Sequence, residues 1–178
     1  MEKEREFKKA RLNIQNYISV RHYGPYEEVN ETWARVTQFA FERGISGPQV
    51  TAFGICCDCP PHTPPENIRY DACLAVNPET YTQLMEKLTV TEEDDFAGIR
   101  METMTPQETI MTIYKGPYNN IREAYTDALT LAATKTLNFD PHRLPTIEIY
   151  KNNPLFTKPA ALVTEIHFLP KGSAQRID

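Results

Sequence analysis

An internal duplication is the feature that most constrains how this chain of 178 residues can fold. The tripeptide Gly-Pro-Tyr at positions 24–26 recurs at positions 116–118, an offset of 92. Further residue pairs keep this offset: Val29 and Ile121, Glu31 and Glu123, Trp33 and Tyr125, Val36 and Ala128, and Ala40 and Ala132. Their apolar members are spaced like residues on one face of an α-helix. The chain is therefore predicted to use one amphipathic helix twice.

The duplication continues after the helix, where the offset becomes 94. Pro60, Thr63, Pro65 and Asp71 then correspond to Pro154, Thr157, Pro159 and Glu165. An insertion of two residues between the helix and the next strand explains the change. We therefore expect a single domain over residues 1–178, with a first repeat at about 11–77, a linker at about 78–98 and a second repeat at about 99–170.

Within each repeat, the sequence predicts strands on both sides of the helix. Runs rich in Ile, Val and Tyr indicate strands, and Pro25 indicates a helix start, because proline is tolerated in the first helical turn. The predicted strands are 12–22, 50–57, 68–76, 109–115, 146–150 and 161–169, and the helices run from 25 to about 44 and from about 119 to 135. We also expect a short helix at 79–88, an extra strand at 99–104 and a solvated turn at Glu92–Asp95. The fold class is then α+β, with duplicated βαββ units and antiparallel sheets.

Charge and hydropathy exclude several classes of protein. A net charge of -5 and a pI near 5.4 disfavour direct nucleic-acid binding, because phosphate contacts require a basic surface. No run reaches the ~18 apolar residues of a membrane span, and the N-terminus is charged, so we expect a cytoplasmic protein without a membrane partner. The motifs of common hydrolases, zinc proteases and phosphate-binding loops do not occur, and hence we assign no catalytic residue and no cofactor.

The four cysteines do not have the spacing of a disulfide framework or of a zinc site. They are Cys56, Cys57, Cys59 and Cys73, and no histidine lies at ligand spacing from them. We therefore expect reduced thiols and no metal site. Cys56 and Cys73 fall in predicted strands, where a free thiol behaves as a small buried hydrophobic group.

Four segments together carry a family resemblance. They are YGPYEEVNETW from Tyr23, CDCPPHTPPENIRYDACLAV from Cys57, YKGPYNNIREAY from Tyr114 and PTIEIYKNNPLFTKPA from Pro145. The ordered set resembles the GyrI-like small-molecule-binding domain, which also occurs as the effector domain of AraC-type and MerR-type multidrug regulators. The resemblance implies two units related by a pseudo-twofold axis, with a cleft between them that takes bulky, often cationic aromatic compounds.

The chain also departs from those regulators in two respects. No residues remain for a DNA-binding module, so direct control of transcription is not expected. Cys56 and Cys57 stand where relatives often carry aromatic residues, which alters the expected pocket near that strand.

Glu148 is the best single candidate for a ligand-binding residue. In the predicted strand, Ile147 and Ile149 point to one face, and Glu148 points to the other. Alternation alone also fits an ordinary solvent-facing glutamate. The resemblance places the family's ligand-contacting glutamate at this position, and a carboxylate in an aromatic cleft would favour positively charged ligands.

Aromatic residues are the candidates for the walls of the site. They are Trp33, Tyr125, Tyr26, Tyr114 and Tyr150. For Trp33 and Tyr125, core packing fits equally well, since both lie on the apolar helix stripe. Tyr26, like Tyr118, stands at a helix start, where anchoring the strand-helix corner is the simpler role.

Asp71 and Glu165 occupy equivalent positions in two predicted strands. Paired carboxylates could do acid–base chemistry in principle. Salt bridges with Arg69 or another basic group are the simpler interpretation.

Three functions fit the sequence. The leading hypothesis is a sensor or sequestering module for a cationic or aromatic small molecule. The resemblance also implies two alternatives, which are a protein-interaction module of the gyrase-inhibitor type and a hydrolase of small strained electrophiles that uses Glu148 with Tyr150 or Trp33. The enzyme is the less favoured alternative, and the oligomeric state has no signal in the sequence.

The crowded cysteines lead to a first prediction. We expect the purified protein to contain no stoichiometric zinc, and four thiols to react with a disulfide reagent after denaturation without reductant. Elemental analysis and thiol titration check both points. A stoichiometric metal that resists chelation would contradict the assignment.

Overall fold

A computed structural model describes residues 5–47, 50–59, 62–88, 98–134, 139–140 and 145–170. The chain divides into two compact units, one formed by residues 13–106 and the other by residues 1–12 and 107–178. We call them the first-repeat unit and the second-repeat unit. The predicted turn at Glu92–Asp95 lies outside the described residues. No helix in the described part of the chain is long and apolar enough to cross a membrane.

The first-repeat unit combines antiparallel strands with two helices. Its strands are β2 (Asn16–Tyr23), β3 (Ala52–Cys56), β4 (Arg69–Val76) and β5 (Ile99–Thr103), and its helices are α1 (Asn30–Glu42) and α2 (Pro78–Leu88). The strands pair in the order β3-β4-β2-β5, and every pairing is antiparallel.

The second-repeat unit has a similar plan with one long helix. Its strands are β1 (Phe7–Leu12), β6 (Gln107–Lys115), β7 (Thr146–Tyr150) and β8 (Val163–Phe168), and its helix is α3 (Arg122–Ala133). The strands pair in the antiparallel order β1-β6-β8-β7. The α+β class with antiparallel strands is therefore confirmed.

β1 and β5, the strands that come just before β2 and β6 in the chain, each pair with a strand of the other repeat. β1 precedes β2 in the chain, yet it pairs with β6, where Leu12 lies opposite Gln107. β5 precedes β6, yet it pairs with β2, where Thr103 lies opposite Asn16. The strand before β2 thus completes the second-repeat unit, and the strand before β6 completes the first-repeat unit. The compact units therefore do not follow the predicted repeat boundaries.

The Gly-Pro-Tyr motif makes the corner between strand and helix in both repeats. Gly24 and Gly116 have φ of 123° and 144°, a conformation that side chains other than glycine rarely adopt. A short 3-10 turn follows each proline, so α1 begins at Asn30, later than the start predicted at Pro25. Proline at a 3-10 turn supplies the same fixed φ as proline in a first helical turn.

Equivalent side chains hold the two corners. The ring N–H at Nε2 of His22 donates to the carbonyl of Pro25 at 3.0 Å. The Tyr114 hydroxyl donates to the carbonyl of Pro117, also at 3.0 Å. The repeat thus keeps the interaction while it changes the residue that makes it.

The predicted apolar stripe packs against the strands in both helices. Val36 in α1 and Ala128 in α3, which correspond in the duplication, are both fully buried. α1 packs on strand residues such as Ile18 and Ala72, and α3 packs on residues such as Ile166. The periodicity therefore predicted the correct face of each helix.

The strand predicted at 12–22 is wrong in its bounds, because two strands occupy this part of the chain. β1 ends at Leu12 and β2 begins at Asn16. Lys8, Lys9 and Arg11 interrupt the apolar alternation of β1, so its sequence does not show a strand pattern. Such charges are common on edge strands, where they oppose pairing with other chains.

A charged network lies on the face of β2 and β4 that points away from α1. Asp71 is buried and accepts two hydrogen bonds from Arg21, at 2.8 and 2.9 Å, while Arg100 lies 2.7 Å away. Arg69 binds Asp58 instead. The interpretation of Asp71 as a salt-bridge residue is therefore right, but its partners are Arg21 and Arg100 and not Arg69.

The cysteines do not form a reactive centre. None of the four cysteines forms a disulfide, and Cys56, Cys57 and Cys73 are buried. Burial raises the pKa of Cys57 to about 11, and it also raises the pKa of Cys73. These thiols stay protonated at neutral pH and are weak nucleophiles.

His167 on β8 is a buried histidine whose neutral form is favoured. Its Nδ1 lies 2.9 Å from the Thr109 hydroxyl, and its Nε2 is buried without a hydrogen-bond partner among the described residues. Glu165, whose own partner is Lys151, is 3.8 Å from Nε2. Loss of hydration lowers the pKa of His167, although Glu165 acts in the opposite direction.

This histidine should make stability depend on pH. The unfolded chain takes up the proton near pH 6.5 and the folded protein only at lower pH, so the free energy of unfolding should fall as pH decreases below 6.5. The loss amounts to about 1.4 kcal/mol for each unit by which folding lowers the pKa. His167→Gln should flatten the dependence in urea titrations between about pH 5 and 7. His62→Gln, at an exposed site, is the control, and an equal flattening there would contradict the assignment.

Candidate binding site

Glu148 occupies the middle of β7 and points toward helix α3. It is 8% exposed, and its cross-strand partner Ile166 belongs to the core beneath the helix. The alternation of the strand predicted only that Glu148 lies on the face opposite Ile147 and Ile149. A solvent-facing glutamate, the alternative that alternation left open, is excluded by the burial.

Two tyrosine hydroxyls hold the carboxylate. The Tyr125 hydroxyl, from α3, donates to Oε1 of Glu148 at 2.5 Å. The Tyr150 hydroxyl, from the same strand as Glu148, donates to Oε2 at 3.0 Å. Each carboxylate oxygen therefore has a donor, and hydrogen bonds of this kind stabilise the charged form of a buried acid.

Aromatic rings surround this carboxylate. Tyr118 meets Tyr150 edge to face, with ring centroids 5.4 Å apart, and Tyr125 meets Phe168 in the same way at 5.6 Å. Burial raises the pKa of Tyr118, and the negative charge of Glu148 contributes to the increase. We call Glu148, Tyr118, Tyr125 and Tyr150 the carboxylate cluster.

The carboxylate cluster contains three of the residues that the sequence singled out for ligand binding, Glu148, Tyr125 and Tyr150. Tyr114, a fourth, lies instead at the strand-helix corner of the same unit, 3% exposed, with the Arg5 guanidinium 5.5 Å above its ring. Its hydroxyl is engaged by Pro117. Tyr114 therefore anchors the corner through this hydrogen bond, and a ligand-binding role for it stays a prediction.

Trp33 and Tyr26 belong to the first-repeat unit, where the ring of each contacts the ring of Tyr70. The Tyr26 ring meets the Tyr70 ring at 5.7 Å and the Trp33 ring meets it at 6.4 Å. The Tyr26 hydroxyl also donates to the carbonyl of Asp58 at 3.4 Å. A ligand-binding role for Trp33 and Tyr26 stays a prediction.

Sequence analysis gave Tyr118 only a corner role and did not consider Thr164. Tyr118 corresponds to the candidate Tyr26 in the duplication, so the repeat itself was a usable signal. Thr164 lies opposite Tyr150, is fully buried, and has a hydroxyl without a hydrogen-bond partner among the described residues. Nothing in the sequence marks that hydroxyl.

The described side chains form no convergent metal site. Within the ranges given above, no group of three or more His, Cys, Asp or Glu residues is placed to hold a metal ion.

The hydroxyl bond from Tyr125 should stabilise the fold measurably. We expect Tyr125→Phe to lower the free energy of unfolding by about 1–3 kcal/mol, because a buried carboxylate oxygen loses its donor. Tyr114→Phe is the matched control, since its hydroxyl binds a neutral carbonyl and should contribute only about 0.5–1.5 kcal/mol. Urea denaturation of the three proteins gives the comparison. If Tyr125→Phe costs no more than the control, the carboxylate does not depend on this hydroxyl.

Comparison with solved structures places the fold among known proteins. EcmrR, in the structure of its complex with DNA, superposes with a TM-score of 0.70 at 16% identity, over 93% of this chain and 57% of that one. This chain thus spans little more than half the length of the EcmrR chain. A hydrolase encoded by lin2189 from Listeria innocua gives a TM-score of 0.62 at 14% identity, covering 93% and 91% of the two chains.

A third similar structure is SAV2435 bound to tetraphenylphosphonium. Its TM-score is 0.53 at 14% identity, with 94% of each chain covered. Identities this low establish a shared fold only. No curated protein sequence matches the chain significantly.

A family model gives the assignment directly. The model of the GyrI-like small molecule binding domain matches residues 6–169, which is nearly the whole chain. The chain belongs to the GyrI-like small-molecule-binding domain family.

Proposed function

We propose that the second-repeat unit binds small organic cations with aromatic or amphipathic groups at the carboxylate cluster. The observation that carries the proposal is the buried Glu148 carboxylate, held by the hydroxyls of Tyr125 and Tyr150. The module would sense or sequester such compounds.

The energetics of burial explain the preference for cations. Removing a carboxylate from water is costly unless hydrogen bonds or a positive charge compensate it. The two tyrosine hydroxyls supply hydrogen bonds but no charge. A bound cation would add a favourable charge–charge interaction with the carboxylate, and we therefore expect positively charged ligands to bind more tightly than neutral ligands of the same shape.

The aromatic rings of the carboxylate cluster add to the preference for positively charged ligands. The ring faces of tyrosines attract a nearby cation by about 0.5–2 kcal/mol each, with the larger value where water is excluded. Tyr118, Tyr125 and Tyr150 bring such rings to the carboxylate. Neither ring faces nor a single charge require strict hydrogen-bond geometry, so broad specificity follows.

The comparisons support a ligand of this class. The family is one of small-molecule-binding domains. SAV2435, which shares the fold, was solved with tetraphenylphosphonium, a cation with four phenyl groups. The ligand cleft between repeats that the resemblance implies stays a prediction.

A hydrolase of small strained electrophiles is the second candidate. It is favoured by the contact of a carboxylate with two phenol hydroxyls, which are groups capable of acid–base chemistry. It ranks lower because both carboxylate oxygens are already engaged by tyrosine hydroxyls. Turnover of a strained electrophile that disappears in Glu148→Gln would favour this candidate over simple binding.

Charge removal at Glu148 tests the proposed function. Glu148→Gln keeps the shape of the side chain, and we expect it to weaken binding of tetraphenylphosphonium by about 1–3 kcal/mol. Neutral triphenylphosphine oxide should lose much less. Calorimetric titration of both ligands against both proteins measures the difference.

Glu165→Gln is the matched control. Glu165 lies on the adjacent strand of the same unit, but its carboxylate is partly exposed and pairs with Lys151. The control variant should bind the cation as the parent protein does. Equal losses for the two ligands in Glu148→Gln, or equal losses in both variants, would mean that Glu148 does not select for charge.

A further inference from the structure

The duplication places Gly54 at the position of Glu148 and Tyr70 at the position of Thr164. β3 and β7 correspond at an offset of 94, and their pairings with β4 and β8 keep the same register. In the first repeat Cys56 lies opposite Tyr70, and in the second Tyr150 lies opposite Thr164. The two repeats can therefore be compared residue by residue.

In the first repeat, the Tyr70 side chain fills the space that a side chain at Gly54 would need. A Cβ atom added at Gly54 would lie 2.7 Å from Cζ of Tyr70 and in closer contact with its hydroxyl. Tyr70 is 3% exposed. Glycine inside a strand often marks the close approach of another group, and here that group is the phenol ring.

The walls around Tyr70 correspond to the walls around Glu148. Tyr26 and Trp33 contact the Tyr70 ring, and their counterparts in the duplication are Tyr118 and Tyr125. Tyr125 binds Glu148 directly, and Tyr118 packs against Tyr150 beside it. The same two wall positions thus face a phenol in one repeat and a carboxylate in the other.

The second repeat lacks the residue that fills the first. Thr164 replaces the tyrosine with a small side chain, and its buried hydroxyl has no partner among the described residues. Glu148 replaces the glycine and brings a charge. The exchange of two residues therefore accompanies the change from a filled aromatic site to a charged one.

We propose that the first repeat contains a second aromatic binding pocket, specific for a neutral phenol ring and permanently occupied by Tyr70. The chain then binds one organic cation, at Glu148, although it carries the pocket scaffold twice. The statement about the cation rests on the proposed function, whereas the phenol pocket does not. The residue pairs at 54 and 70 and at 148 and 164 determine which pocket is open.

Removing the tyrosine should open the pocket. In Tyr70→Thr, which introduces the residue of the second repeat, we expect p-cresol to bind with one site per chain and to raise the melting temperature by several degrees. The parent protein should show no such shift. p-Toluate, which carries a negatively charged carboxylate in place of the hydroxyl, should not bind. Repeating the titration in Glu148→Gln separates this pocket from the cation site, and a folded Tyr70→Thr that does not respond to p-cresol overturns the proposal.

Introducing the glutamate of the second repeat into the first tests whether the two sites are equivalent more sharply than the cavity alone. The double variant Gly54→Glu with Tyr70→Thr should bind two tetraphenylphosphonium ions per chain where the parent binds one. One site in a folded double variant would mean that the Tyr70 site is ordinary core packing. If the parent binds no cation at all, the proposed function fails, while the p-cresol result still decides the pocket.

The reciprocal variant keeps the proposal testable if the Tyr70 variants do not fold. Glu148→Gly alone should still bind neutral triphenylphosphine oxide. Glu148→Gly with Thr164→Tyr should fill the second site with its own tyrosine, reduce that binding at least tenfold and keep the melting temperature of the single variant or raise it. Unchanged binding of the neutral ligand would overturn the proposal.

Discussion

Backbone pairing between strands that are distant in sequence holds each unit together. β1 is an edge of the second-repeat unit through its ladder with β6, and β5 does the same for the first-repeat unit through its ladder with β2. Because the side chains of a strand alternate between faces, these ladders also decide which residues meet the helices. A slip of one residue in β7 would turn Glu148 away from α3 and break its bond to Tyr125.

The carboxylate cluster follows from this alternation together with the helix position. A carboxylate beneath a helix is costly to bury, and the hydroxyls of Tyr125 and Tyr150 compensate part of the cost through hydrogen bonds. On the other face of the first-repeat unit, the buried carboxylate of Asp71 is held by the guanidinium groups of Arg21 and Arg100.

Sequence analysis predicted the elements whose signals are local. The helix stripe that contains Val36 and Ala128 follows from helical periodicity. Strand alternation places Glu148 on the face opposite its two isoleucine neighbours, but alternation alone did not decide whether that face is buried. The strand β1 could not be predicted, because its lysines interrupt the apolar alternation. They are tolerated because β1 is an edge strand, which follows only from its pairing with the distant strand β6. The hydrogen bonds from Tyr125 and Tyr150 to Glu148 depend on the positions of three side chains in space. These positions cannot be read from a single sequence. The offset of 94 pairs Gly54 with Glu148, but the sequence does not show that the Tyr70 side chain fills the space beside Gly54.

The pairing of β1 and β5 with strands of the other repeat has a consequence for how the chain reaches its native state. β2 cannot obtain its neighbour β5 until residues 99–103 have been synthesised, and β1 waits for β6 until still later. Such long sequence separations slow folding, because the entropy of loop closure is lost before the contacts form. A cut within the segment between α2 and β5 would leave each fragment with the edge strand of the other. The two repeats, although they look like separable modules in the sequence, are therefore obliged to fold together.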